Sequence, residues 1–557
     1  MVSQVRPRQW LVWASSIGLA IAARSAQAQY TANFQTNLIS GISSNWSGTY
    51  YVGQTNFADV LLIRNGGILY DTAGYVGYPP GGSNSNTVLV TDSGSSWQNS
   101  GGLLLVYGSW NSLVISNKGQ VSSAYGGVSG TNNSVVITDS GSDWTTSLAG
   151  GQFTVGGPGN TLVIINSGRV DSVNCLVGGC NPSGGSQLLV TGIGSILNDT
   201  GSLAIGVPSG YSSMICGAGH SLVVSNGGHV FSLLGYAGVD SSNTVLVTGN
   251  GSVWQNNLDM YVGSYGSGNS LVISNGGRVI SGVAGGGLFN VYIGGDPHFA
   301  PSNANSNSVL VTGTSSVWSN IGPLSVGYFG FGNNMDVGNS GVVYCTSGNL
   351  GVASSSSNNT VHVIDGGVWR VRNNGLTVGV QGSSNSLVIA DGSVVTPGLV
   401  IGSASADCDN LVELDGGSLV VTNVAHGATL EVRHGQLILS GGLLQVDNLL
   451  ITNSCASFLH TGGALLAGSV TLDPNQFRIT SIVAEGTDLR VTWLMGPGQS
   501  NTLQVVTGGP DGSYTANGFS DIFVVTNNPI AGAVTNYLDV GAATNWPARY
   551  YRARLVP

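Results

Sequence analysis

The stretch Asn269-Ser-Leu-Val-Ile-Ser-Asn-Gly-Gly-Arg-Val279 recurs in variants down most of the chain, and that recurrence limits what the polypeptide can become. Copies start at Asp59, Asn86, Asn111, Asn133, Asn160, Ser186, His220, Asn243, Asn269, Asn307, Asn333, Asn359, Asn385 and Asp409, most of them 22 to 27 residues apart. Units of this length bury an apolar face only by stacking on their neighbours, so they build solenoids, propellers or arrays. Each unit carries two strand signals. In Leu271-Val-Ile273, Leu271 and Ile273 face one side while Ser270, Val272 and Ser274 face the other; a shorter run ends in glycine, as in Tyr261-Val262-Gly263.

The turns are more regular than the strands. Six residues after each start stands Asn, Asp or Gly: Asn65, Asp92, Asn117, Asp139, Asn166, Gly192, Asn226, Gly249, Asn275, Gly313, Asn339, Asp365, Asp391 and Asp415. These types tolerate left-handed backbone, so the position is a bend at constant phase. Alternate units carry Trp97, Trp144, Trp254, Trp318 and Trp369 near one place, with Val121, Val170, Val230, Val279 and Val343 in the units between. Large and small side chains in alternation fill a coil interior, which places these tryptophans in the core rather than in a sugar-stacking row. A unit that already repeats every strand and bend favours a parallel β-solenoid of about fourteen coils over a propeller with two units per blade.

Residues 30–55 look like the second half of a unit, a half-coil closing the N-terminal end. The pattern decays after Asp409, and from Pro474 six short strand candidates follow without Asn-Gly bends: 477–482, 489–493, 501–507, 521–525, 534–539 and 550–555. They suit a small antiparallel sandwich anchored by Trp493 and Tyr551, an arrangement that resembles fibronectin type III and related immunoglobulin-like modules. The expected layout is a signal peptide over 1–28, an N-terminal cap over 29–58, solenoid repeats over 59–417, terminal coils and cap over 418–473, and the sandwich over 474–557.

Arg6 and Arg8 precede an apolar run from Trp10 to Ala23, and Ala26-Gln27-Ala28 forms a small-x-small site, so export with cleavage between Ala28 and Gln29 is expected. No later segment has the roughly 20 apolar residues of a membrane helix. With 7% charged residues and 88 glycines, solubility rests on Ser, Thr, Asn and backbone groups. The formal net charge is −10, and the acidic excess lies in the repeats, where it repels nucleic acid, which leaves extracellular polysaccharide or an envelope or matrix protein as partner.

The segment Tyr261-Val-Gly-Ser-Tyr-Gly-Ser-Gly-Asn-Ser-Leu-Val-Ile-Ser-Asn-Gly-Gly-Arg-Val279 resembles the repeat of autotransporter passengers and of PEP-CTERM-type exported bacterial proteins. The resemblance covers roughly residues 50–419. It implies a right-handed parallel β-helix displayed outside the cell, and it implies no chemistry.

Few side chains could do chemistry. Asp365, Asp391 and Asp415 share the bend in three consecutive units, near Asp407, Asp409, Glu413, Arg370 and Arg372. Stacked carboxylates repel, and the offset comes either from bend N–H groups or from calcium. A coil-specific acidic groove facing a base would mark a polysaccharide-degrading enzyme or a carbohydrate binder, whereas uniform polar ladders mark a scaffold. Cys175 and Cys180 are the nearest cysteine pair, and Cys216 sits one unit later; one bridge among them with the other thiols buried is the expectation. No catalytic residue and no cofactor other than this calcium are expected. The leading reading is a non-enzymatic exported structural or adhesive protein.

Overall fold

A computed structural model describes residues 30–78, 84–146, 151–179, 185–206, 218–282, 289–298, 304–404, 408–452, 455–471, 477–495, 498–515, 517–528 and 533–556. The repeats form a parallel β-solenoid. A full coil has three strands, as in Ser270–Ser274, Arg278–Ser281 and Val291–Ile293. Each pairs in parallel and in register with its counterpart in the next coil: Leu271 lies on Val309, Val279 on Trp318, and Val291 on Leu324. First strands make a 17-stranded sheet, and second and third strands make one of 30. Propeller blades are antiparallel, so the pairing excludes that alternative.

Alternation explains the strands. In Ser270–Ser274 the second and fourth side chains are buried and the others face outward, and this pattern repeats in most first strands. Val, Leu and Ile at those two positions merge into one core running from Ile39 to Phe458. The bends behave as the composition demands, since every expected bend residue from Asn65 to Asp391 has positive φ.

Among the described residues the rod holds seventeen first strands: fourteen from the repeats, Gly435–Leu439 and Ala456–His460 from the expected terminal coils, and Thr36–Ser40 from the N-terminal segment. Three expectations need correction. The N-terminal segment is a whole coil with strands Thr36–Ser40, Ser43–Asn45 and Thr49–Val52, not a half. The Trp/Val position lies in a strand of its own, so a unit has three strands instead of two. The last clear unit starts at Asn410, not Asp409. Starting at Asp409 would turn Glu413 into the core, and the observed register instead buries Val412 and Leu414.

Beyond the solenoid, all six expected strands appear in two antiparallel sheets. One contains Arg478–Glu485, Asp488–Leu494 and Val534–Asp539, and the other Ser520–Asn528, Gly498–Gly508 and Ala548–Val556. Val491, Trp493, Met495 and Leu503 form a separate core between them. Trp493 is fully buried as expected, while Tyr551 is half-buried and donates its hydroxyl to Asp539 at 2.7 Å.

Candidate functional site

Most polar residues singled out by the repeat are consumed inside the rod. The starting asparagines are fully buried and form a ladder. The Asn307 side-chain oxygen accepts the Asn269 backbone N–H at 2.9 Å and the Asn269 side-chain amide at 3.0 Å. The same double link joins Asn243 to Asn269, Asn307 to Asn333, Asn333 to Asn359, Asn359 to Asn385 and Asn385 to Asn410. This ladder also explains the glycine that follows most third strands. A Cβ on Gly263 would come within 2.2 Å of the Asn307 side chain, and one on Gly327 equally close to Asn359.

The tryptophans are core residues. Trp97, Trp144, Trp254, Trp318 and Trp369 have no solvent exposure, which rules out a sugar-stacking row. Each is flanked in register by smaller residues, as Trp144 is by Val121 and Val170. The indole N–H reaches back one coil, to Asp71 from Trp97, Ser123 from Trp144, Ser232 from Trp254 and Cys345 from Trp369. At Trp318 the equivalent hydroxyl, Ser281, donates to the Met260 sulfur instead, and the indole N–H has no hydrogen-bond partner.

A two-coil period also organises the bends. Four tryptophan coils and the Leu197 coil carry a buried serine before the second strand, and Ser95, Ser142, Ser195, Ser252 and Ser316 accept the bend N–H of the preceding coil, whereas the Trp369 coil has Gly367 there. In the valine-type coils, Asn117, Asn166, Asn226, Asn275 and Asn339 fold back to donate to Thr91, Thr138, Thr191, Thr248 and Thr312 one coil earlier.

Asp365, Asp391 and Asp415 are exposed on consecutive rungs. Asp365 and Asp391 share a phase, but Ile389 pairs with Leu414, so Gly416 rather than Asp415 lies over Asp391. Accordingly Gly416 takes the positive φ there. Among the described residues no three His, Cys, Asp or Glu side chains gather into a group that could hold a metal ion, and this trio runs along the rod instead of converging. Bend N–H groups do meet aspartates elsewhere: Asp92 accepts from Asn65 and Asp139 from Asn117. Arg370 is exposed on a second strand, and Arg372 lies over the Tyr344 ring at 4.6 Å. Asp407 lies outside the described residues.

Sequence reasoning missed a mixed-charge groove on the second-strand face. It has a volume of about 550 Å³ and is lined by Asp143, Arg169 and Asp171 with Ser140, Ser142 and Ser167. Arg169 grips Asp171 with two bonds of 2.6 Å, and Asn198 donates to the same carboxylate at 2.7 Å. Burial raises Asp143 above the usual carboxylate range. Burial pushes Asp171 the same way, but Arg169 and Asn198 outweigh it and hold Asp171 low. Only the register reveals this groove, since Arg169 is stacked on Asp143 across 26 residues of sequence.

Cys175 is a buried free thiol in the strand Asn174–Val177, so it belongs to no bridge. Its side chain points into the core. Cys180 and Cys216 lie outside the described residues, as do the expected signal peptide and the expected cleavage site at Ala28 and Gln29. Among the described residues a disulfide joins Cys408 and Cys455, a pair that sequence reasoning missed. It ties residues two coils apart, a relation visible only after the coils are stacked.

The first-strand face is the most uniform surface. Nine consecutive strands, from Thr87–Thr91 to Ser308–Thr312, present three outward residues each. The middle one is always Leu or Val, from Leu89 to Leu310, and the outer two are Ser or Thr except at Gln187 and Ile165. Arg64 and Asp336 are the first charges met beyond either end.

No family model matches the chain, and no curated protein does. Among solved structures, a match is the crystal structure of a TibC-catalysed hyper-glycosylated TibA55-350 fragment, at 15% identity and a TM-score of 0.31, covering 72% of this chain and 96% of that one. The solenoid assignment rests on the strand pairing itself.

Proposed function

We propose that the protein is an exported, non-enzymatic structural or adhesive rod that works at a cell surface or in an extracellular matrix. The observation that carries this reading is the uncharged first-strand face, repeated without a break over nine coils. Such a surface offers many modest contacts that add by multivalency, whereas a catalyst concentrates its chemistry on one or two coils. The repeat's polar signature is accounted for by ladders and bends, which leaves little for catalysis. The groove at Asp143 and Asp171 is the best support for a carbohydrate-active alternative, but Arg169 and Asn198 already satisfy Asp171, and Gln120 and Thr145 satisfy Asp143.

The test incubates residues 29–557 with a panel of soluble and insoluble polysaccharides and envelope fractions, with calcium or EDTA. Retention and newly formed reducing or unsaturated ends are scored together. Retention without new ends is expected. New ends that disappear in Asp143→Asn or Asp391→Asn would overturn the reading and locate a catalytic site.

A further inference from the structure

We propose that the first-strand face between Thr87 and Thr312 is a docking platform for a flat, neutral polysaccharide layer; this deepens the adhesive reading and rests on it. The face is a lattice. Rungs repeat about every 4.8 Å along the rod, and outward residues within a strand stand about 6.8 Å apart, giving a strip roughly 38 Å by 14 Å. A central aliphatic column from Leu89 to Leu310 runs between two hydroxyl columns. An ordered polysaccharide layer offers the complement, rows of ring C–H groups bordered by hydroxyls.

Three observations select this occupant. The platform has no charged side chain, although the solenoid around it is strongly acidic, so its partner is neutral. It also has no aromatic and no arginine, the side chains that anchor protein interfaces. Its area is about 500 Å², short of the roughly 800 Å² per partner of a standard protein interface. A second copy of the chain therefore fits poorly, and a large periodic partner that sums weak contacts fits well.

The hydroxyls are preset. Ser116 donates to Thr91 at 3.0 Å, Ser225 to Thr191 at 2.8 Å and Ser274 to Thr248 at 2.9 Å. The threonines also receive the bend asparagines, as Thr248 receives Asn275 at 3.2 Å. Each of these oxygens keeps a fixed position, so little rotamer freedom is lost when they make contact.

The experiment is co-sedimentation of the full mature chain with microcrystalline cellulose and with crystalline chitin, with product release monitored throughout. Binding is expected to persist near 1 M sodium chloride, where charge contacts are screened to about 3 Å. Leu89→Lys, Val223→Lys and Leu310→Lys combined should lower retention at least about tenfold, by placing unpaired charge against a neutral layer. Ser93→Lys, Asn250→Lys and Thr314→Lys combined add the same charge at exposed bends and should retain wild-type binding; circular dichroism checks that both variants fold. Absence of retention on both glycans overturns the proposal while leaving the rod reading intact, as does unchanged retention of the face variant. Self-association abolished by the face lysines would make a second copy the occupant and also overturn it. Product release would instead remove the non-enzymatic reading.

Discussion

Two stretches of one internal ladder differ in a telling way. From Asn243 to Asn410 every link is double, with a backbone N–H and a side-chain amide both donating to the next asparagine oxygen. Between Asn160 and Asn243 the ladder positions are Ser186 and His220. The Ser186 N–H reaches the His220 Nδ1 at 3.3 Å, the Ser186 hydroxyl turns back to Gly157, and the His220 N–H reaches Asn243 at 3.0 Å. A serine is too short to bridge two rungs, and the imidazole offers one acceptor on that side. The coil path survives this substitution, so the backbone sheets carry the fold, and the asparagines add strength and register.

That contrast can be broken at its strong end first. Trp254 packs in the doubly linked stretch, and Trp254→Ala should lose about 3–5 kcal/mol by opening a core cavity. Exposed Trp546→Ala should change stability by less than about 0.5 kcal/mol, and denaturant unfolding followed by tryptophan-independent circular dichroism compares the two. Next, Asn307→Ala strips the acceptor from two Asn269 donors and should lose about 2–3 kcal/mol, against roughly 1 kcal/mol for Ser186→Ala. Hydrogen exchange resolves the two sites locally, which matters because long repeat arrays need not unfold in one step.

The weak stretch should also respond to pH. Burial pushes the Asp199 carboxyl up to about 6, opposed by the N–H groups of Gly201 and Cys175. A raised value means that the folded chain binds the proton more readily than the unfolded chain. Stability therefore rises as pH falls through about 6 toward the ordinary carboxylate range, by about 1–3 kcal/mol, and the deficit is fully present above 6. Amide protection around residues 196–205 should increase from pH 7.5 to pH 5, and Asp199→Asn should flatten that response. The smallest effect is a gain. His220→Asn restores a doubled link and should add about 1 kcal/mol, measured as slower exchange at Ser186 and Asn243.

Much of this was legible beforehand. Period, bend phase, the outward set Ser270, Val272 and Ser274, and the alternation of tryptophan with valine all follow from local side-chain geometry. What stayed hidden depends on stacking. The role of Asn307 requires knowing that its oxygen lies over Asn269, 38 residues earlier. Asp415 aligns in sequence with the other bends and points to a start at Asp409, whereas burial of Val412 and Leu414 decides the register. The groove at Arg169 and the Cys408–Cys455 bridge likewise join residues that only neighbouring coils bring together. Surface chemistry was the least legible, since single hydroxyls become a lattice only when nine strands align.

The most direct measurement compares three deletions that each remove two coils: residues 133–185, 243–306 and 359–409. Binding to the retained partner is then measured for each. The first two deletions each shorten the first-strand platform by two rungs and should weaken binding by similar, graded factors. The third removes Asp365 and Asp391 but no platform rung, and should leave binding nearly intact. If any one deletion abolished binding while the others were neutral, a localised site would replace the extended face as the seat of function.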